Sequence, residues 1–171
     1  MRALVVYESM FGNTQAIAEA IGGGLASTMA VEVIEVGAAP TQLADDLDLL
    51  VVGGPTHAFS MSRPQTRADA IKQADGPVIS IGDGLREWVG RVSGTVAAAT
   101  FDTRVTRPRL AGSAARAAER RLRRRGLRMV AKPASFYVQG TTGPLCPGET
   151  DRARRWGEQL AATVTGLPTA G

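Results

Sequence analysis

The chain is expected to fold as an open parallel α/β sheet with helices on both faces. Three observations carry that expectation. Five short, mostly apolar runs alternate with segments of helical period. Most of the runs are continuous rather than alternating, the pattern of strands covered on both faces. The first run breaks at a polar, glycine-containing turn and passes at once into a helix. A strand, tight loop and helix in that order aim backbone N–H groups and a helix N-terminus at an anion.

Taken in order, Ala3–Tyr7 is the first strand and Thr14–Thr28 the first helix, with Ile17, Ala18, Ile21 and Leu25 on one face. Val31–Val36 intersperses glutamate among valine and isoleucine, which suits a second strand closer to an edge. Pro40 precedes a short helical turn over Thr41–Leu47. Leu49–Gly53 is the third strand, bounded by Asp48 and by Gly53-Gly54-Pro55. Pro64–Ala74 starts with proline at a position a helix favours, and Leu85–Val92 is a further helical piece. Val78–Ile81 fits a strand or a loop equally, and Gly82-Asp83-Gly84 is a loop. Thr95–Thr100 is a fourth strand of small residues. Leu110–Arg125 sets Leu110, Ala114, Ala118 and Leu122 four apart, a helical stripe. Met129–Val138 is the fifth strand, interrupted by Pro133, which lacks a ladder donor and marks an edge or a bulge. Asp151–Val164 closes the fold as a helix with Thr150 as its N-cap. Residues 1–165 thus form one domain, and residues 166–171 a frayed tail.

The composition fits this. A length of 171 residues suits one domain. With 44% hydrophobic but only 5% aromatic residues, small and aliphatic side chains must fill the core. One cysteine, Cys146, excludes an intrachain disulfide and suits a reducing compartment. With one histidine besides, no metal site of the usual zinc ligands is expected. No apolar run approaches the roughly 20 residues of a membrane span. The N-terminal run is cut at Glu8, unlike a signal peptide. A soluble, cytoplasmic protein without a membrane partner is expected.

Three segments leave the carboxyl ends of strands, where open parallel sheets bind ligands. They are Glu8–Thr14, Gly54–Ser62 and Thr100–Pro108. In the first, Gly12 permits a backbone turn that a Cβ would oppose, the following amides are free to donate, and Ser9, Asn13 and Thr14 add side-chain donors. A phosphate pocket follows within the first fifteen positions. No nucleophile or general acid stands out, since the lone His57 has no evident partner in sequence.

The run Tyr7-Glu8-Ser9-Met10-Phe11-Gly12-Asn13-Thr14, with Val51-Val52-Gly53-Gly54-Pro55-Thr56 and Thr100-Phe101-Asp102-Thr103, resembles a flavodoxin domain. The opening motif is especially similar to the flavodoxin modules of flavodiiron proteins. The resemblance implies a flavodoxin-like five-stranded parallel sheet of order 2-1-3-4-5 and non-covalent FMN lying across the three loops. By position, Ser9, Met10, Phe11, Gly12, Asn13 and Thr14 would wrap the phosphate. Phe11 stands where the family favours a hydroxyl, so one donor is lost or replaced by a backbone amide. Pro55, Thr56, His57, Ala58 and Phe59 would border the isoalloxazine, with His57 and Phe59 as ring contacts. Ala58 stands where a small residue, often glycine, flips its peptide on reduction, a motion Ala resists by about 1 kcal/mol. Thr100, Phe101, Asp102 and Thr103 would border the pyrimidine edge, with Phe101 stacking and the Asp102 charge lowering the reduction potential. Simpler placements stay open: His57 as an ordinary loop histidine, Phe59 as a core anchor, Asp102 capping a turn and Phe101 pointing inward.

Charge is unevenly spread. Between Arg104 and Arg128 lie ten arginines and one acid, Glu119; the rest of the chain holds 10 basic and 15 acidic residues. A solvated helix face with cations near the helix C-terminus is the plain explanation. The sharper one is docking of a nucleotide phosphate or of an acidic redox partner protein, a reductase or an acceptor, on Arg116, Arg120, Arg123 and Arg124. Nucleic acid is disfavoured by the absence of interleaved aromatics. Three functions are weighed on this basis. The first is an FMN-binding electron carrier. The second is an FMN-dependent NAD(P)H:quinone or porphyrinogen oxidoreductase whose Gly140–Gly148 loop walls a substrate. The third is a flavin-free binding module acting through the arginine helix.

Overall fold

The computed structural model describes residues 1–106 and 111–166. The order of elements is β1 (Arg2–Tyr7), α1 (Asn13–Leu25), β2 (Ala30–Glu35), β3 (Leu49–His57), β4 (Ser60–Met61), α2 (Pro64–Gln73), α3 (Leu85–Arg91), β5 (Ala97–Val105), α4 (Ala114–Arg124), β6 (Arg128–Met129), β7 (Ala134–Val138) and α5 (Glu149–Thr165). Leu110 and the expected tail beyond Gly166 lie outside the described residues.

The strands pair in the order β2-β1-β3-β5, all parallel, with β6 and then β7 along the outer side of β5. β4 is a short antiparallel arm folded back on β3. With that arm set aside and β6 and β7 taken as one strand broken around Pro133, the order is the expected 2-1-3-4-5. In register, Ala3 lies opposite Leu49 and Leu49 opposite Ala97.

Alternation along the strands builds two cores. Ala3, Val5, Tyr7, Leu49, Val51, Ala97, Ala99 and Phe101 face α1 and α5, meeting Ile17, Ile21, Leu25 and Leu160. Leu4, Val6, Leu50, Val52 and Ala98 face the other way, onto Leu85, Trp88, Val89, Ala118 and Leu122 of α3 and α4. The stripe expected on the first helix is wholly buried: Ile17, Ala18, Ile21 and Leu25. At Gly24 and Gly157, α1 and α5 meet backbone to backbone. A Cβ on Gly24 would fall 2.1 Å from the Arg154 carbonyl oxygen, and one on Gly157 2.3 Å from that of Ile21.

Several expectations are corrected. Over Thr41–Leu47 only the end turns, with Leu47 N–H donating to the Ala44 carbonyl at 3.1 Å, and no helix forms. The backbone of Thr41 and Leu43 is engaged by Ser93 instead, with Leu43 N–H donating to its carbonyl at 3.0 Å and Ser93 N–H donating to Thr41 at 2.8 Å. Val78–Ile81, left open between strand and loop, is a loop, although Ile79 and Ser80 donate to the carbonyls of Met10 and Ser9. α5 begins two residues earlier than expected, with Gly148 and not Thr150 at its N-cap. Glu149 supplies the reason. Its carboxylate accepts from Tyr137 N–H at 2.7 Å and pairs with Arg152 at 2.6 Å, fixing the start of the helix against β7. The largest correction is to strand length. β3 runs on to His57 and β5 to Val105, because the two pair as far as Pro55 opposite Thr103, and β7 pairs with β5 from Phe101 to Val105.

Candidate functional site

α1 begins at Asn13 behind Gly12, which takes the left-handed conformation (φ 92°) and carries no side-chain cap. The first bond of the helix runs from Ala16 N–H to the Gly12 carbonyl at 3.0 Å. The N–H groups of Asn13, Thr14 and Gln15 therefore precede any intrahelical acceptor. The loop before them is braced from inside. Ser9 Oγ accepts from Gly12 N–H at 3.1 Å, and Ser9 N–H donates to Ser80 Oγ at 3.0 Å. Ser80 Oγ in turn donates to Glu35 at 2.6 Å.

The polar side chains expected to reach a phosphate also tie the loops together. Thr14 Oγ1 and Thr103 Oγ1 share a hydrogen bond of 2.7 Å, joining α1 to the end of β5. Asn13 Nδ2 donates to the Thr142 carbonyl at 3.1 Å, joining α1 to the loop after β7.

These segments line one cavity of about 320 Å³. From the first loop come Ser9, Met10, Phe11, Asn13 and Thr14, from the end of β3 Pro55, Thr56, His57 and Ala58, and from the end of β5 Thr103, Arg104 and Val105. Val138 and Thr141 close it on one side, and α2 lays Thr66, Asp69, Ala70 and Gln73 along another. Ten of the fifteen residues singled out from sequence thus meet in one place. Gly12 stands behind the cavity as the helix cap.

The other four are placed elsewhere. Phe59 turns outward, 54% exposed. Thr100, Phe101 and Asp102 lie within β5, so alternation and not loop geometry sets their direction. Phe101 faces α1 and α5, fully buried, edge-to-face with Phe136 at 6.3 Å and Trp156 at 6.5 Å. It is a core residue and not a stacking platform. Asp102 faces α4, also fully buried. Its Oδ2 accepts from Thr56 Oγ1 at 3.0 Å, Ser113 Oγ at 2.5 Å and Ala115 N–H at 3.1 Å. The charge expected beside a cofactor edge is thus spent on the N-terminus of α4, where the helix dipole favours it. Thr56, a cavity residue, closes the same knot by accepting from Ala114 N–H at 3.0 Å.

His57 and Ala58 belong to the β3–β4 hairpin, in which His57 pairs with Ser60. The two residues at its tip, Ala58 (φ 43°) and Phe59 (φ 73°), both hold left-handed conformations. A two-residue turn of that shape favours Asn-Gly, so Ala-Phe there carries strain. Burial, and behind it the Arg67 guanidinium, hold the His57 imidazole below its ordinary pKa. The histidine therefore presents a neutral ring to the cavity at neutral pH.

Sequence reasoning missed the α2 wall and the buried ionic group that anchors it. Arg67, 6% exposed, donates to Ser62 Oγ at 2.9 Å and pairs with Glu87 at 3.1 Å. Glu8 is fully buried; its Oε2 accepts from Leu85 N–H at 2.7 Å while its Oε1 has no partner. Burial raises the Glu8 carboxyl above the ordinary range. Ser62, Leu85 N–H and Arg67 pull it back, and Glu87 pushes it further up. A charged residue directly after an apolar strand was the available signal. Among the described residues no three His, Cys, Asp or Glu side chains gather as a metal site, and no helix is long and apolar enough to cross a membrane.

The chain is similar in structure to a flavodoxin from the domain Archaea, at 23% identity and TM-score 0.64, over 96% of this chain and 99% of that one. Flavodoxin 1 from Bacillus cereus superposes with TM-score 0.68 at 19% identity, over 98% and 100% of the two chains. The flavodiiron core of Flv1 from Synechocystis aligns over 96% of this chain but 36% of its own, at 16% identity and TM-score 0.62. No family model matches the sequence, and no curated protein does. The fold is flavodoxin-like.

Proposed function

We propose that the cavity binds FMN without a covalent link and that the protein is an electron carrier. The single observation behind this is convergence. Three strand ends meet around one cavity, and the uncapped N-terminus of α1 stands at its edge. The donor set suits a phosphomonoester, since the N–H groups of Asn13, Thr14 and Gln15 face an anion with the helix dipole behind them. The Ser9 and Thr14 hydroxyls stand beside them. The remaining lining suits a flat ring system. Met10, Pro55, Ala58, Val105 and Val138 are apolar, while Thr56 and Thr103 offer polar atoms.

FMN, once bound, would supply the redox chemistry. The chain's own residues hold and shape its surroundings. The bond between Thr14 and Thr103 sets the distance between the phosphate end and the ring end. Neutral His57 adds no charge beside the ring. Asp102, hydrogen-bonded to the start of α4, fixes Thr56 without exposing its carboxylate. A cytoplasmic setting is part of the same proposal, in keeping with the single cysteine. Titration of the protein with FMN, followed by quenching of flavin fluorescence, tests the proposal. Saturation at one FMN per chain is expected; a protein that stays colourless and quenches nothing sinks it.

One observation favours a second reading, an FMN-dependent oxidoreductase. The Gly140–Gly148 loop reaches the cavity through Thr141 and grips Asn13 through Thr142, and α2 adds Asp69 and Gln73 to the wall. Steady-state NADPH oxidation with menadione separates the two, because a carrier turns over only after a reductase is added.

A further inference from the structure

We propose that the outer face of α4 is a docking surface for an acidic protein. The six arginines between Arg116 and Arg125 divide by what they touch. Arg121 Nη1 donates to the Arg86 carbonyl at 3.1 Å. Arg125 donates to the carbonyl of Gly90 at 2.9 Å and, through Nε, to that of Val92. Arg121 thus braces the first turn of α3, and Arg125 closes its carbonyl end. Arg123 is paired with Glu119 at 2.8 Å. Arg116, Arg120 and Arg124 are left, all exposed, and among the described residues no acidic side chain pairs with any of them. Their four-residue spacing sets them in one row, about 6 Å apart along the helix.

Folding does not account for that row. Like charges four apart weaken a helix by about 0.2–0.5 kcal/mol per pair. The dipole favours Arg124 in the last turn but opposes Arg116 in the first. The inward face of α4 is already served by Ala114, Ala115, Ala118 and Leu122.

The position of the row gives it a use. The first N–H of α4 donates to Thr56 of the cavity wall, and Gly112, just before the helix, packs on Phe59. The row therefore starts beside the hairpin at the cavity, next to an exposed aromatic ring. An aromatic anchor flanked by cations is the make-up of a protein interface. Guanidinium forks match carboxylates, and carboxylates repeated every four residues on a partner helix would match the spacing. Nucleic acid fits less well. Tight duplex binders neutralise about 6–10 phosphates, more than this short row offers, and α4 has no aromatic residue on which a base would stack. The redox role of this docking rests on the FMN proposal above; the binding itself does not.

The test uses the full chain and a fluorescein-labelled helical peptide of about 20 residues with glutamates at four-residue spacing. Anisotropy is read at about 50 and about 300 mM NaCl. The wild type should bind, and salt should weaken it. The triple variant Arg116→Gln, Arg120→Gln, Arg124→Gln should lose about tenfold in affinity with an unchanged circular dichroism spectrum. The control Arg154→Gln, Arg155→Gln on α5 should bind as the wild type does. Equal binding by the triple variant overturns the proposal. So does tighter binding of a labelled DNA duplex than of the peptide, or a wild-type dimer in sedimentation that the triple variant abolishes. Failure to bind FMN with peptide binding intact would sink the carrier and leave the surface standing.

Discussion

Gly112 lies against the carbonyl of Phe59, so closely that a Cβ at position 112 would sit 2.0 Å from that oxygen. Gly112 also holds φ 91°, which side-chain-bearing residues adopt at a cost. The contact joins the tip of the β3–β4 hairpin to the approach of α4. Gly112→Ala should therefore lower stability by about 2 kcal/mol or more, from strain and displacement together. It should also weaken FMN binding, because Phe59 adjoins Ala58. Urea denaturation with a flavin titration checks both; a loss below about 0.5 kcal/mol would contradict the close approach.

Asp102 holds three donors on one oxygen while its Oδ1 has no partner. Asp102→Asn keeps an acceptor but removes the charge that answers the α4 dipole. A loss of about 1–2 kcal/mol is expected in chemical denaturation. Thr56→Val, which strips the acceptor from Ala114 N–H, should cost about 1–2 kcal/mol. The double variant should cost less than the sum, since one knot is being cut twice. Full additivity would deny the link.

Glu8 gives stability a pH dependence of definite sign. Its carboxyl is raised in the folded state, chiefly by burial. The native state thus binds this proton more tightly than the unfolded chain, whose glutamates titrate near about 4.3. Its contribution is greatest below that pH and falls as pH rises through the raised value. Glu8→Gln removes the titration and keeps an acceptor for Leu85 N–H. Its stability relative to wild type should climb as pH rises from the unfolded value towards the raised one. Urea midpoints at three pH values measure this, and parallel profiles would refute it.

Ala58 sits at φ 43° in a two-residue turn. Ala58→Gly should relieve the strain while adding freedom to the unfolded chain, for a net gain of a few tenths to about 1 kcal/mol. A thermal melt reads the sign, and a clear loss would mean that the Ala58 methyl group packs more than it strains.

Much of the layout was legible because it follows local rules. The turn at Gly12, the buried stripe of α1 and the break near Pro133 each need only the neighbouring residues. For Phe101 and Asp102 the inward and capping placements prevailed over the cofactor-edge roles because the strand continues past Thr100. That extension depends on pairing with β3 and β7, partners distant in sequence. The α2 wall was invisible for a similar reason: Thr66, Asp69 and Gln73 look like an ordinary polar helix face until tertiary packing sets α2 beside the cavity. Thr150 was a sound local cap that lost to the docking of Glu149 on Tyr137 and Arg152. Within α4, composition showed the charge, but only contacts separate the arginines that brace α3 from those that face solvent.

The crossing of Gly24 and Gly157 makes α5 a keeper of α1. With two backbones touching, neither helix can slide without prising the other away. The last turn of α1 thereby shares its rigidity with a helix distant from it in sequence. Cut before α5, the chain would leave Gly24 and the buried face of α1 without the helix that covers them.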